Sequence, residues 1–401
     1  MSDQDMFQEL ELPSETVEFT PTRQAGLARL EKFVSRTGRH YARRRNYDFG
    51  AALRDNVSVL SPWIRHRLIT EEEVLHAVLA HHSISAAEKF IQEVFWRTYF
   101  KGWLEQRPSV WTTYQDGLAR ALNDGTRYSD YQDAIAGRTG IACFDHWAQE
   151  LVRTGYLHNH ARMWFASIWI FTLRLPWQLG ADFFLRHLID GDPASNTLSW
   201  RWVGGLHTKG KTYLARPDNI AKYTDGRFNP VGQLSAVAEP LTEPFEHSRV
   251  PLPVMEPTPE GDFLLLVTEE DCQIETALPH PPKARLGVLA RSPFEASPLV
   301  RSFAVGAVES SRGAAVDTRS AWSDQIIEAA LAAGTRHVVT GYAPVGPVAE
   351  QLVALNLREA GMTLHQVRRD YDTLAWPYAT KVFFGLKKKI PHVLRALGFA
   401  A

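Results

Sequence analysis

Six prolines between Glu239 and Gly261 (Pro240, Pro244, Pro251, Pro253, Pro257 and Pro259) set the tightest limit on how this chain folds. Proline lacks a backbone N–H and fixes φ, so neither a helix nor a central strand continues through such a stretch. A chain of 401 residues also exceeds what one compact core usually covers. The reading that follows is an N-terminal tail at 1–21, a first domain at 22–236, a linker at 237–261 and a second domain at 262–401.

The two sides of the linker have different periods. Before it, apolar residues recur at helical spacing: Leu27, Leu30, Phe33 and Val34, then Val74, Leu75, Val78 and Leu79. A helix starting near Ala86 carries Phe90, Ile91, Val94, Phe95 and Phe100. Another starts near Cys143, carries Trp147, Leu151 and Val152, and ends at Gly155. The run Met163–Leu173, bracketed by Arg162 and Arg174, is too short to span a bilayer and reads as a buried helix. After the linker, short apolar runs at Phe263–Val267, Leu286–Leu289, His337–Thr340 and Thr363–Val367 alternate with helical stretches at Ser323–Ala333 and Val345–Ala360. Strand–helix alternation predicts a parallel sheet covered by helices. The fold class expected is an all-helical N-terminal domain followed by a smaller parallel α/β domain.

Charge excludes a global attraction to polyanions, because 44 Lys and Arg face 45 Asp and Glu. Between Trp200 and Pro230, Arg201, Lys209, Lys211, Arg216, Lys222 and Arg227 outnumber Asp218 and Asp225, giving either a phosphate-contacting rim or a solvated loop. Cys143 and Cys272 cannot build a disulfide framework or a cysteine metal site, so a reducing compartment is expected and no metal. The acidic start MSDQDMFQELELPSE lacks the pattern of a secretory leader, which predicts a cytoplasmic protein. Twelve tryptophans, six of them from Trp147 to Trp202, suit a large aromatic core.

The polar motifs are ordinary one at a time. Asp190–Asn196 (DGDPASN) supplies acceptors suited to hydroxyls or a ring N–H edge, and equally suits an Asx turn before a helix. Asn159 and Arg162 lie about a helical turn apart, and so do Glu93 and Arg97, a spacing that ordinarily gives a surface ion pair.

In their order along the chain, EVFWRTYF, TGYLHNHARM, LIDGDPASN and SWRW resemble the flavin-binding helical domain of the DNA photolyase and cryptochrome family. The resemblance covers roughly 22–235 and includes GLARLEKFVSRTGRHYARRRN and the loop VSVLSP at Val57–Pro62. It implies FAD as cofactor. Ser58, Leu60 and Ser61 would hold the diphosphate, with Val57 in place of a usual threonine. Arg97 would approach the phosphates, where a guanidinium fork matches the ligand. Asn159 and Arg162 would line the cleft, Arg162 opposite Asp190, and Asp192 would accept from the ring or the ribityl chain. Asn196 would face the flavin N5 and tune its electronics.

For activity, the resemblance implies light-driven repair of cyclobutane pyrimidine dimers in UV-damaged DNA, single- or double-stranded. Trp96 and Trp202 would wall a flipped-out lesion, while Glu93, Asn159 and Met163 would contact it. Trp200 and Trp177 would be inner members of an electron relay to the flavin, with Tyr128, Tyr131 or Trp164 as candidates for its outer member. His158 and His160 are read as structural. The alternatives are a cryptochrome-like light sensor without repair, and a flavoprotein without photochemistry. The stretch His337–Phe384, with Tyr342–Pro344 and Tyr378–Phe383, resembles the second half of the family's antenna-type α/β domain, which implies a permuted domain order. An unrelated nucleotide-type α/β domain is the alternative, though no Gly-rich phosphate loop is present. The second chromophore is left unknown.

Overall fold

The computed structural model describes residues 18–124, 128–290, 296–311, 316–317 and 322–399, so residues 1–17 of the expected tail lie outside it. Every regular element from Arg23 to Tyr223 among the described residues is helical. Local chemistry explains several boundaries. Glu71–His81 opens with a capping box: the Thr70 hydroxyl accepts from the Glu73 N–H at 3.2 Å and the Glu73 carboxylate accepts from the Thr70 N–H at 2.8 Å. Ala142–Thr154 stops at Gly155, whose φ of 68° is open to glycine at little cost. The central helix Glu88–Glu105 buries Phe90, Ile91, Val94, Phe95, Thr98 and Tyr99 at spacings of three and four residues. Asn159–Ser167 runs on into a π turn at Ile168–Thr172, so the Met163–Leu173 run is an interior helical segment, as its composition predicts.

Residues 224–263 hold no helix or strand. The proline-rich stretch is nonetheless fastened to the helical part. Leu241 N–H donates to Gly204 O (2.9 Å), Val250 N–H donates to Gln106 O (2.8 Å), and Arg201 Nη2 meets Glu243 Oε2 at 2.8 Å.

The C-terminal part is built on a parallel five-stranded sheet in the order β3-β2-β1-β4-β5. Its strands are β1 (Leu264–Val267), β2 (Ala284–Val288), β3 (Val316–Asp317), β4 (His337–Gly341) and β5 (Thr363–Val367). Both faces are covered, which is why β1 reads as an unbroken apolar run. Leu265, Val267 and Val339 join the core of the helical part, while Leu264, Leu266 and Val338 pack with Trp322, Ile326 and Ala330 of the helix Trp322–Ala332. One sequence expectation is corrected: the helix expected over Val345–Ala360 spans only Pro347–Val353. Asn356 N–H turns instead to Ser323 Oγ (3.4 Å), and Leu357 is buried in the second core.

The carboxyl ends of the strands face the helical part. After β1, Glu270 meets Arg65 (2.7 Å) and the Cys272 N–H donates to His66 O (2.9 Å). After β4, the Tyr342 hydroxyl donates to the Glu105 carboxylate (2.5 Å). At this join Arg67 contacts Glu71 (3.2 Å), Asp271 (3.4 Å) and Asp372 (2.6 Å), and Arg369 grips Asp271 at 2.6 and 2.8 Å. Arg67 has φ +47°, a left-handed conformation that a branched-charge network of this kind holds in place. Beyond β5 the chain returns to the Glu88–Glu105 helix. Thr98 Oγ1 and Tyr371 OH lie 2.9 Å apart, Gln106 Nε2 donates to Trp376 O (3.0 Å), and Tyr99 OH donates to Lys381 O (2.5 Å). Among the described residues no helix is long and apolar enough to cross a membrane.

Candidate functional site

The polar motifs that look ordinary in sequence converge on the turn between the helices Trp177–His187 and Pro193–Val203. Asp190 sits in that turn. Its Oδ2 accepts from Arg162 Nη2 (2.8 Å) and from Ser61 Oγ (2.5 Å), while its Oδ1 is buried without a protein partner. Burial pushes this carboxyl up, but Arg162, Arg97 and Ser61 outweigh burial and hold it below the usual aspartate range. Asp192 caps the next helix, accepting from Ser195 N–H at 2.8 Å through Oδ1, and its Oδ2 pairs with Arg97. Burial is again outweighed, here by Arg97, Lys101 and Arg65, and the Asp192 pKa is lowered. One helical turn on, Asn196 is buried and its amide N–H donates to Ala181 O (2.8 Å), while the Ser195 hydroxyl is buried and unpartnered.

Ser61 comes from the opposite wall, at the start of the short helix Ser61–Arg65. The loop before it is drawn tight by Arg29, whose guanidinium donates to Ser58 O (2.7 Å) and Val57 O (3.0 Å). Val59, the next residue along, has φ +55°. A β-branched residue there costs on the order of 1–3 kcal/mol, and such strain gathers at ligand clamps.

Asn159 and Met163 lie on the helix that carries Arg162, with Asn159 Nδ2 4.0 Å from Met163 Sδ. Glu93 and Trp96 lie on the helix that carries Arg97. Those two helices therefore meet through Asp190 and Asp192. Two features sequence reasoning missed stand beside them. Arg45 ion-pairs with Glu93, and its carbonyl accepts from His158 Nε2 at 3.0 Å. Phe383 stacks on Trp96 at 3.9 Å and 13°. Arg45 was legible only as part of a basic run, and Phe383 lies 287 positions from its partner, beyond any local pattern. Trp202 stacks on Tyr213 at 5.6 Å. His158 caps its helix, with Nδ1 accepting from His160 N–H at 3.1 Å. Burial lowers the His158 pKa to about 4 and the His160 pKa to about 3, so both are neutral and structural.

The expected relay residues are only partly joined. Trp200 lies against the Trp177–His187 helix at Gly180, where a Cβ would come within 2.2 Å of its ring, so no side chain fits there. Its ring neighbours include Phe184 (5.2 Å) and Trp169 (6.0 Å). Trp169 in turn lies 6.2 Å from Tyr131, which lines a cavity of about 540 Å³ that Trp177 and Arg174 also border. Trp177 packs on Tyr114 at 5.6 Å. Of the three candidates for the outer position, Tyr131 is the one linked by rings to Trp200. Tyr128 is exposed, and Trp164 pairs with Trp147.

Residues 90–237 match the family described as the FAD binding domain of DNA photolyase. Over those residues the helical part of the chain is similar to the photolyase/cryptochrome family. The chain is 30% identical over 199 residues to the deoxyribodipyrimidine photo-lyase of Streptomyces griseus, covering 46% of this chain and 42% of that protein. It is likewise 30% identical over 193 residues to that of Synechococcus sp., covering 45% and 38%. The chain thus spans less than half the length of these curated relatives. A solved cryptochrome from Synechocystis sp. overlaps it with a TM-score of 0.44 at 25% identity, over 53% of this chain and 45% of that one.

The photolyase-type domain has a donor set suited to FAD. The free Asp190 Oδ1 and Ser195 Oγ are buried acceptors awaiting N–H or O–H donors, and Arg97 and Arg162 bring two guanidinium groups to the same turn.

Proposed function

We propose that this chain is a blue-light-driven, FAD-dependent lyase that splits cyclobutane pyrimidine dimers in DNA and works in the cytoplasm. When bound, the reduced flavin would supply the light-excited electron that opens the dimer. The residues of the chain bind and orient. Ser58, Leu60, Ser61 and Arg97 hold the diphosphate side, and Arg162, Asp190, Asp192 and Asn196 hold the ring side. Glu93, Trp96, Asn159, Met163 and Trp202 receive the flipped-out lesion. The observation that carries this reading is the shared turn: Glu93 and Trp96 precede Arg97 on one helix, Asn159 and Met163 flank Arg162 on another, and both arginines bind the Asp190–Asp192 turn. Lesion contacts and cofactor contacts are then one helical turn apart.

A second reading, a cryptochrome-like sensor, is favoured by a specific feature. Phe383 covers one face of Trp96 and Arg45 neutralises Glu93, so the lesion side is furnished with partners from within the chain. Blue light on the photoreduced protein with a dimer-containing oligonucleotide separates the two. Restored thymines support the lyase, and intact dimers with fully reduced flavin remove it. The aromatic series Trp200, Trp169 and Tyr131 supports a supply route to the flavin. Trp169→Phe should then slow photoreduction with the visible spectrum unchanged.

A further inference from the structure

We infer that the C-terminal segment Lys381–Lys389 forms a nucleic-acid contact surface, with Phe384 meeting an unstacked base and Lys381, Lys388 and Lys389 the phosphates. This rests on DNA being the partner of the lyase reading above. Charge is the first ground. Residues 373–401 contain Lys381, Lys387, Lys388, Lys389 and Arg395 and no Asp or Glu, in a chain whose other residues carry an acidic excess. Segregation of that kind makes a local polyanion site in a protein without a global one.

Exposure is the second ground. On the short helix Phe383–Lys387, Phe383 and Leu386 are buried and pin the helix, while Phe384 between them is 65% exposed. Core packing accounts for the first two and leaves the third unused. Lys387 is taken up by Glu88 at 3.1 Å and Lys389 lies over the Tyr378 ring at 5.6 Å, but among the described residues no carboxylate pairs with Lys381 or Lys388. An exposed ring among cations suits single-stranded nucleic acid, whose bases stack on aromatics while the backbone follows the charge.

Position is the third ground. Phe383 stacks on Trp96, and Tyr99, one turn along from Trp96, donates to Lys381 O and lies 2.8 Å from His207 Nε2. The surface is thereby continuous both with the proposed lesion wall and with the exposed loop bearing Lys211. That continuity favours a nucleic-acid strand over a lipid surface.

The test uses the full flavin-loaded chain and fluorescence anisotropy with labelled oligothymidylate, with and without a dimer, over a range of salt. Lys388→Ala with Lys389→Ala should weaken both oligonucleotides alike and reduce the salt slope by about 1–2. Phe384→Ala should weaken binding about tenfold with the slope unchanged. An unchanged visible spectrum and circular dichroism show that each variant is folded. If the parent binds and the variants bind identically, the surface is refuted and the lyase reading stands. If the parent binds phosphatidylserine vesicles and neither oligonucleotide, the surface is a lipid one and the DNA reading falls with it.

Discussion

Two buried ionic clusters in this molecule use the same residue types for opposite ends. At the join between the helical part and the sheet, Arg67, Glu71, Asp271, Arg369 and Asp372 are all sealed, with the Arg67 side chain only 5% exposed. At the Asp190 turn the carboxylates are as deeply buried, but the Arg97 and Arg162 side chains are 13% and 23% exposed. In the sealed cluster the arginines fasten three segments far apart in sequence. In the open one, guanidinium edges remain for something else; an unpartnered carboxylate oxygen is common to both, Asp190 Oδ1 in the open cluster and Asp372 Oδ1 in the sealed one. Arginine–carboxylate pairing is thus a fastener or a site according to whether the cation has a second face to offer.

Breaking the sealed cluster should have the largest effect. Arg67→Met strands several buried carboxylates, and a loss of about 3–5 kcal/mol in unfolding free energy is expected by denaturant titration. Equal losses for Arg67→Met and Arg162→Met would erase the contrast between the two clusters.

Acid comes next. Burial lowers the pKa of His66 and His160 to about 3 and of His158, His187 and His207 to about 4, against about 6.5 when unfolded. The unfolded chain therefore takes up protons that the folded chain refuses. This contribution to stability is complete above pH 6.5 and is lost as the pH falls through 4 toward 3. A melting temperature flat across that window would contradict the burial of these rings.

Asp190→Asn should cost less stability, about 1–3 kcal/mol, yet remove most of the flavin absorbance per mole of protein. Retained flavin would move the site away from this turn. The smallest effect concerns Val59. Replacement by Gly relieves roughly 1–3 kcal/mol of backbone strain and forfeits a similar amount of burial. The net change in melting temperature should be near zero, while Val57→Gly, with no such relief, should lower it clearly.

Much of the helical part was legible because its signals are local. The apolar spacing at Val74–Leu79, the stop at Gly155 and the 3.6-residue period of Glu88–Glu105 depend on neighbours in sequence. Four of the five strands were found from their apolar runs, but the two-residue β3 and the end of the Pro347–Val353 helix were not; a contact with Ser323 decides the latter. Asp190, Asp192, Arg97 and Arg162 were singled out through the order of their motifs. Their division of labour was invisible: Asp192 spends its oxygens on a helix cap and on Arg97, and Asp190 keeps one free. The contacts of Trp169, Arg45 and Phe383 escaped notice because only a folded chain gives them their partners.

The sequence by itself determined where several helices start and stop, where the proline stretch interrupts them, and which motifs resemble a flavin-binding domain. Those follow from backbone stereochemistry and short-range capping, which act over a few residues. Tertiary structure alone decided which cluster is sealed and which stays open, and brought Phe383 onto Trp96 at the end of the chain. Burial and pairing of charges depend on what the whole fold places on the far side of each group, and no local window contains that.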